Sequence, residues 1–195
     1  MSKRILIIDG HPDMRAGRYV HALSQAYSYG AQQGGHDVRA IVVSELDFPL
    51  LRTSEEFRSG EVSTTIRGCQ ELLKWADHVV IVFPLWLGSM PALLKGFLEQ
   101  MLRPGFAFAE AGGFGLPKRL LSGRSVRIIV TMGMPGLFYR WYFQAHSLKS
   151  LQRNILRFCG FRPIRACVVG MVEHMSQAQR GKWLAKVQEL GVRGH

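Results

Sequence analysis

Residues Asp77–Met101 read DHVVIVFPLWLGSMPALLKGFLEQM. Asp77–Phe83 is a short run dominated by β-branched and apolar residues, the pattern of a strand covered on both faces, as parallel strands are. Pro84 and Gly88 then bend the chain, and Pro91–Leu102 takes helical spacing with proline in its first turn. The same alternation recurs on either side. Lys3–Asp9 (KRILIID), Asp37–Val43 (DVRAIVV), Ser125–Thr131 (SVRIIVT) and Ile164–Gly170 read as strands. Ala16–Gln33, Thr64–Trp75, Gln144–Phe158 and Ser176–Leu190 read as helices, with Gly34-Gly35 closing the first. Five strands joined by helix-length connections predict an open five-stranded parallel α/β sheet with helices on both faces. Arg103–Arg124, rich in glycine, is expected to be a long structured loop.

A chain of 195 residues, 47% hydrophobic and 20% charged, predicts one globular domain able to bury a core without metal or disulfides. Cys69, Cys159 and Cys167 are too sparse for a disulfide framework or a zinc site, which favours a reducing compartment. No apolar run approaches the ~18 residues of a membrane span, and the N-terminal apolar stretch is too short for a secretory signal. A cytoplasmic location is the expectation. The net charge of +11 is unevenly placed, since residues 1–100 carry a net −1 and residues 101–195 a net +12. No acidic residue falls between Ala111 and Val172, a bias that suits a polyanionic partner.

Sheets of this kind bind ligands at the carboxyl ends of their strands, where the strand order reverses. That directs attention to Gly10–Arg18, Pro84–Met90 and Met132–Tyr139. The first segment, DGHPDMRAG, lacks the G-x-G-x-x-G of dinucleotide binders, and no GK[ST] phosphate loop or G-x-S-x-G elbow occurs. Cys69, amid apolar neighbours in a predicted helix, reads as an inert buried thiol. His11, His36, His78, His146, His174 and His195 are scattered, with no pair at ligand spacing, so no metal is expected. What remains is two Pro/Gly-bent loops, Pro84–Gly88 and Thr131–Tyr142 (TMGMPGLFYRWY), at adjacent strand ends. Each alone reads as a tight turn. Together they make two lips of a slot suited to a planar heteroaromatic ring.

FPLWLGSMPALLKGFLEQM, then PGFAF and TMGMPG–Y, resembles the NAD(P)H:quinone oxidoreductase (DT-diaphorase-like) family of flavodoxin-like proteins, from Lys3 to about Gly170. It also resembles bacterial relatives that serve as ancillary subunits of potassium-efflux systems. The resemblance implies a bound flavin (FAD or FMN), NAD(P)H as hydride donor, a quinone or related acceptor, and a homodimer with its active site at the subunit interface. By the same resemblance, Pro84, Leu85, Trp86 and Leu87 line the isoalloxazine, and Thr131, Gly133 and Gly136 form the second flavin loop. Tyr139 matches the family's catalytic tyrosine. His146, one residue beyond the family spacing, stands for its histidine. Phe106 and Phe108 match the aromatic segment near the acceptor. His11 matches the histidine of the first loop. Ala16, Gly17 and Val20 stand where the family places hydroxyls and an asparagine, which leaves Arg15, Arg18 and backbone N–H groups to neutralise a flavin phosphate.

Other readings stay open. The helix from Gln144 carries Lys149, Arg153 and Arg157 at four-residue intervals opposite an apolar stripe. It serves as a solvated basic face, as a site for an NADPH 2′-phosphate, or, over residues 140–165, as a peripheral contact with anionic lipid or a transporter. An ancillary subunit of a potassium-efflux-type transporter is the alternative function. Specific nucleic-acid binding is not expected, because the basic residues form no recognition module.

Overall fold

The computed structural model describes residues 2–109, 115 and 117–195. Five parallel strands form the sheet: β1 (Arg4–Asp9), β2 (Asp37–Val42), β3 (His78–Pro84), β6 (Ser125–Thr131) and β7 (Ile164–Val169). Their spatial order is β2-β1-β3-β6-β7. The chain moves outward from β1 to β2, then crosses back to β3 on the other side of β1, so the switch point lies between β1 and β3. β3 is central and buried at every position. Its alternation divides the core: Val79, Ile81 and Phe83 join one hydrophobic cluster, Val80 and Val82 the other.

On one face lie α1 (Tyr19–Gln33) and α8 (Gln177–Val192), in closest backbone contact at glycines. On the other face lie α3 (Thr64–Trp75) and α4 (Ala92–Met101), together with a continuous helical segment. That segment runs as α6 (His146–Ser150), a π-helical stretch (Leu151–Leu156) and α7 (Arg157–Cys159). It replaces the single α-helix expected over Gln144–Phe158. The expected start of α1 at Ala16 moves to Tyr19, because Met14–Arg18 is drawn into a polar loop. Two short helices arise where the sequence suggested loop: α2 (Ser54–Ser59), capped by the Thr53 side chain, and α5 (Gly136–Trp141). The 103–124 segment contributes a two-stranded ribbon, β4 (Phe108–Ala109) with β5 (Lys118–Arg119).

Register brings the strand ends into line. Asp9 stands beside Val82, and Pro84 beside Thr131. The Leu85 N–H donates to the Thr131 carbonyl at 2.7 Å, which ties the two predicted lips at their roots.

Candidate functional site

β1 ends in a carboxylate. Asp9 is only 4% exposed, and a buried charge needs partners. Its Oδ1 accepts from the His11 N–H at 3.1 Å, and its Oδ2 lies 2.7 Å from His21 Nδ1, one turn into α1. His21 Nε2 in turn meets the Asp13 carbonyl at 2.9 Å, while the Asp13 N–H donates to His11 Nδ1 at 3.0 Å. The two imidazole rings are 5.3 Å apart. Burial alone would lower His21, but the hydrogen bonds to Asp9 and Asp13 and the charges of both carboxylates outweigh it and raise its pKa. His11 is shifted down, first by burial and then by the adjacent His21. Asp9 and His21 are the functional-loop residues that sequence reasoning passed over. The available signal was an apolar strand ending in Asp, with a histidine in the first turn of the following helix.

Arg15 and Arg18 converge on Asp13. The Arg15 N–H donates to Asp13 Oδ1 at 3.0 Å and Arg15 Nε to Oδ2 at 3.0 Å, while Arg18 donates through Nε at 2.8 Å and also through Nη2. Arg15 foremost, by side chain and N–H, and then Arg18 hold the Asp13 carboxyl well below the usual carboxylate range. Arg18 occupies the N-cap position of α1, yet no side chain caps that helix. Its first N–H groups, which have no intrahelical acceptors in any α-helix, are therefore left without a capping side chain. A cavity of about 800 Å³ opens beside this loop, lined by Asp9, Arg18, His21, Ser24, Glu45 and Arg180 among others. The buried Ser24 hydroxyl has no partner among the described residues.

The second wall follows β3. Trp86 and Ser89 exchange backbone hydrogen bonds at 2.8 and 2.9 Å, closing a tight turn over Leu87 (φ +46°) and Gly88 (φ +77°). Positive φ at both central positions is the geometry of a type I′ turn, for which leucine is a poor choice. Leu87 is also fully exposed. Stability alone would choose neither feature, and such strain clusters at ligand sites. The Leu85, Trp86 and Ser89 N–H groups are consumed within the fold, whereas among the described residues none accepts from Leu87 or Gly88. Trp86 meets His11 edge-on at 5.9 Å, so the loops that follow β1 and β3 are in contact.

The third segment, Met132–Pro135, is shaped by close approach. A side chain at Gly170 would come within 2.5 Å of the Gly136 nitrogen and 2.8 Å of the Met134 carbonyl. Gly133 faces Glu173, and Gly136 packs against Val168. The structure thus brings together His11, Arg15, Arg18, Pro84, Leu85, Trp86, Leu87, Thr131, Gly133 and Gly136 at the carboxyl ends of β1, β3 and β6.

Of the other four expected residues, Tyr139 and His146 follow the third segment in α5 and α6, while Phe106 and Phe108 stand apart. Tyr139 is 2% exposed and its hydroxyl is engaged, 2.9 Å from Ser147 Oγ and accepting from the Leu148 N–H at 3.3 Å. His146 is exposed at the start of α6, and the partner of the Tyr139 hydroxyl is Ser147 instead. Phe106 lies beneath Lys74, 5.6 Å from its ammonium, at the end of α3 that leads into β3. Phe108 packs edge-on against Phe158 at 4.8 Å and lines a cavity of about 320 Å³ with Leu98 and Leu102, at the far end of α4. Because α4 runs antiparallel to β3, both phenylalanines sit at the amino end of the sheet, a sheet's length from the lips. Cys69 and Cys159 are buried, and burial pushes the Cys159 thiol up to about 12, which suits packing rather than nucleophilic attack.

Comparison with known proteins agrees with this architecture. A protein-family model described as "Flavodoxin-like fold" matches residues 3–190. NAD(P)H dehydrogenase [quinone] 1 of Rattus norvegicus is 34% identical over 134 residues, covering 64% of this chain and 46% of that protein, so the chain spans about half the rat protein's length. The FMN-dependent NADH:quinone oxidoreductase of Nitratidesulfovibrio vulgaris (strain DP4) is 30% identical over 163 residues, 73% of each. The solved NAD(P)H:quinone oxidoreductase from Methanothermobacter marburgensis superposes with a TM-score of 0.83 at 18% identity, over 99% of this chain and 97% of that one. The strand order, the switch point and the family match over residues 3–190 have one conclusion: the chain belongs to the flavodoxin-like fold family.

Proposed function

We propose that this protein is a flavin-dependent NAD(P)H oxidoreductase acting on quinone-like acceptors. The observation that carries the reading is the convergence, at the switch point, of a cationic loop with two bent loops tied at their roots. The residues fit a phosphorylated flavin. Arg15, Arg18 and the uncapped start of α1 offer charge and N–H donors for a phosphate. Trp86 and Leu87 offer apolar surface for a ring, and the unclaimed Leu87 and Gly88 N–H groups could meet its polar edge. When bound, the flavin supplies the hydride chemistry.

The chain's own residues bind and orient. Pro84–Leu87 form one wall and Thr131–Gly136 the other, while Asp9 and His21 fix the course of the first loop. His146, exposed at the start of α6, offers a ring N–H to the acceptor oxygen. Tyr139 acts behind it as a positioning residue, anchoring the turn into α6 through Ser147 and the Leu148 N–H. Phe106 and Phe108 are too far from the lips of their own chain to line the same slot. A homodimer with its site at the subunit interface supplies them from a second copy, and light scattering should then give twice the 22.0 kDa of one chain.

The test is to incubate purified protein with FMN or FAD, identify the retained cofactor by mass, and follow NADH and NADPH oxidation with a soluble quinone. Retention of flavin with acceptor-dependent turnover is expected. A preparation that stays colourless with both cofactors overturns the reading.

A second reading, peripheral contact with anionic membranes through residues 140–165, is favoured by exposed Trp141 and Tyr142 beside Arg140 in a region without acidic residues. It requires tighter co-sedimentation with anionic than with neutral vesicles, and equal binding would remove it. No helix among the described residues is long and apolar enough to cross a membrane.

A further inference from the structure

The loop read above as the holder of a flavin phosphate already contains an anion. Asp13 accepts from the N–H and side chain of Arg15 and from the side chain of Arg18, the two cations this loop contributes. We propose that Asp13 is a built-in competitor for the ligand phosphate, and so determines how strongly the site favours phosphorylated flavin over riboflavin. The proposal rests on the reading above, in which Arg15 and Arg18 hold a flavin phosphate.

Phosphate binding at this loop is an exchange of anions. A carboxylate and a phosphate present the same chemistry to a guanidinium, namely oxygen acceptors with negative charge. A phosphate that takes the Nε–Nη2 edge of either guanidinium displaces Asp13 from it, so its net gain there is the difference between two anions. Riboflavin, with no phosphate, displaces nothing. Asp13 does not cap α1, so the helix N–H groups remain open to the incoming group while the arginines are held by Asp13.

The backbone of Asp13 is fixed independently of its carboxylate. Its N–H donates to His11 Nδ1 and its carbonyl meets His21 Nε2, and Asp9 anchors both histidine segments. Removing the charge should therefore free the arginines without unthreading the loop. The rival role is a clamp that holds the arginines in place for the phosphate, and it predicts the opposite sign.

The experiment titrates flavin-free protein with FMN and with riboflavin, read by flavin fluorescence, for wild type, D13N, D13S and the double variant R15Q/R18Q. Circular dichroism checks that each variant is folded, and D13S keeps the test open if D13N misfolds. In D13N and D13S, FMN should bind about threefold to tenfold tighter, the scale of partly exposed ion pairs, with riboflavin changed by less than about twofold. Inorganic phosphate should compete with FMN better in D13N than in wild type, and R15Q/R18Q should bind FMN more weakly. Unchanged or weaker FMN binding in both Asp13 variants, with R15Q/R18Q still weakened, overturns the proposal and leaves the phosphate-holding reading intact. Equal FMN and riboflavin affinity in every protein removes that reading and the proposal with it. No flavin binding at all removes both together with the oxidoreductase reading.

Discussion

Two histidines next to the sheet are held in opposite ways. His21 gains the Asp9 carboxylate and is raised above its ordinary value. His78, 2% exposed at the other end of the sheet, is lowered to about 3 by burial and then by the charges of Lys3, Arg127, His195 and Arg165. Its Nδ1 meets Ser125 Oγ at 2.7 Å, and its Nε2 has no partner among the described residues. The signs follow from linkage. A depressed histidine stabilises the fold above its unfolded value, and that contribution is lost as pH falls from about 6.5 toward about 3. Thermal melts should therefore show an acid-side decline over this window that H78Q flattens. At the low end the effect is several kcal/mol, on the scale of 1.36 kcal/mol per pKa unit. A raised histidine behaves in reverse: the Asp9–His21 contribution is present below about 6.5 and lost as pH rises through the shifted value. H21N should therefore destabilise more at pH 6 than at pH 9, in the same melts.

At the scale of elements, the contact between α1 and α8 depends on glycine. A Cβ at Gly30 would lie 2.0 Å from the Gln188 carbonyl, and one at Gly191 would lie 2.3 Å from the Tyr27 carbonyl. Both obstacles are backbone, so the helices would have to separate. G30A and G191A should each cost about 1–3 kcal/mol in denaturant unfolding, as overpacking does. G181A is the control on α8. Nothing lies within 4 Å of its added carbon, and helix propensity should stabilise it by up to about 1 kcal/mol. The same close approach recurs where Gly170 meets Met134 and Gly136, and there it shapes the third loop of the site.

For the whole molecule, charge is the dominant long-range term. A net +11 with few buried ion pairs means self-repulsion, while surface pairs such as Arg4–Asp77 and Lys74–Glu71 contribute little. Raising ionic strength from about 0.01 M to about 0.1 M shortens the screening length from about 30 Å to about 10 Å. The melting temperature should rise over that range; a fall would show that surface pairing outweighs repulsion. The strands and most helices were legible in the chain because each is set by local periodicity: the unbroken run at Val79–Phe83 permits little besides a doubly covered strand. The two bent loops were legible because proline and glycine restrict the backbone wherever they stand. Side-chain destinations were not, because they depend on residues distant in sequence. Tyr139 turns into the core toward Ser147 when α5 folds back on α6, and Phe106 and Phe108 travel to the amino end of the sheet because α4 carries them there. Asp9 and His21 meet only when α1 packs over β1. Sequence by itself determined which segments form strands and where the chain must bend; tertiary structure alone decided which side chains share the site, because burial and pairing of charge are settled only once the layers close.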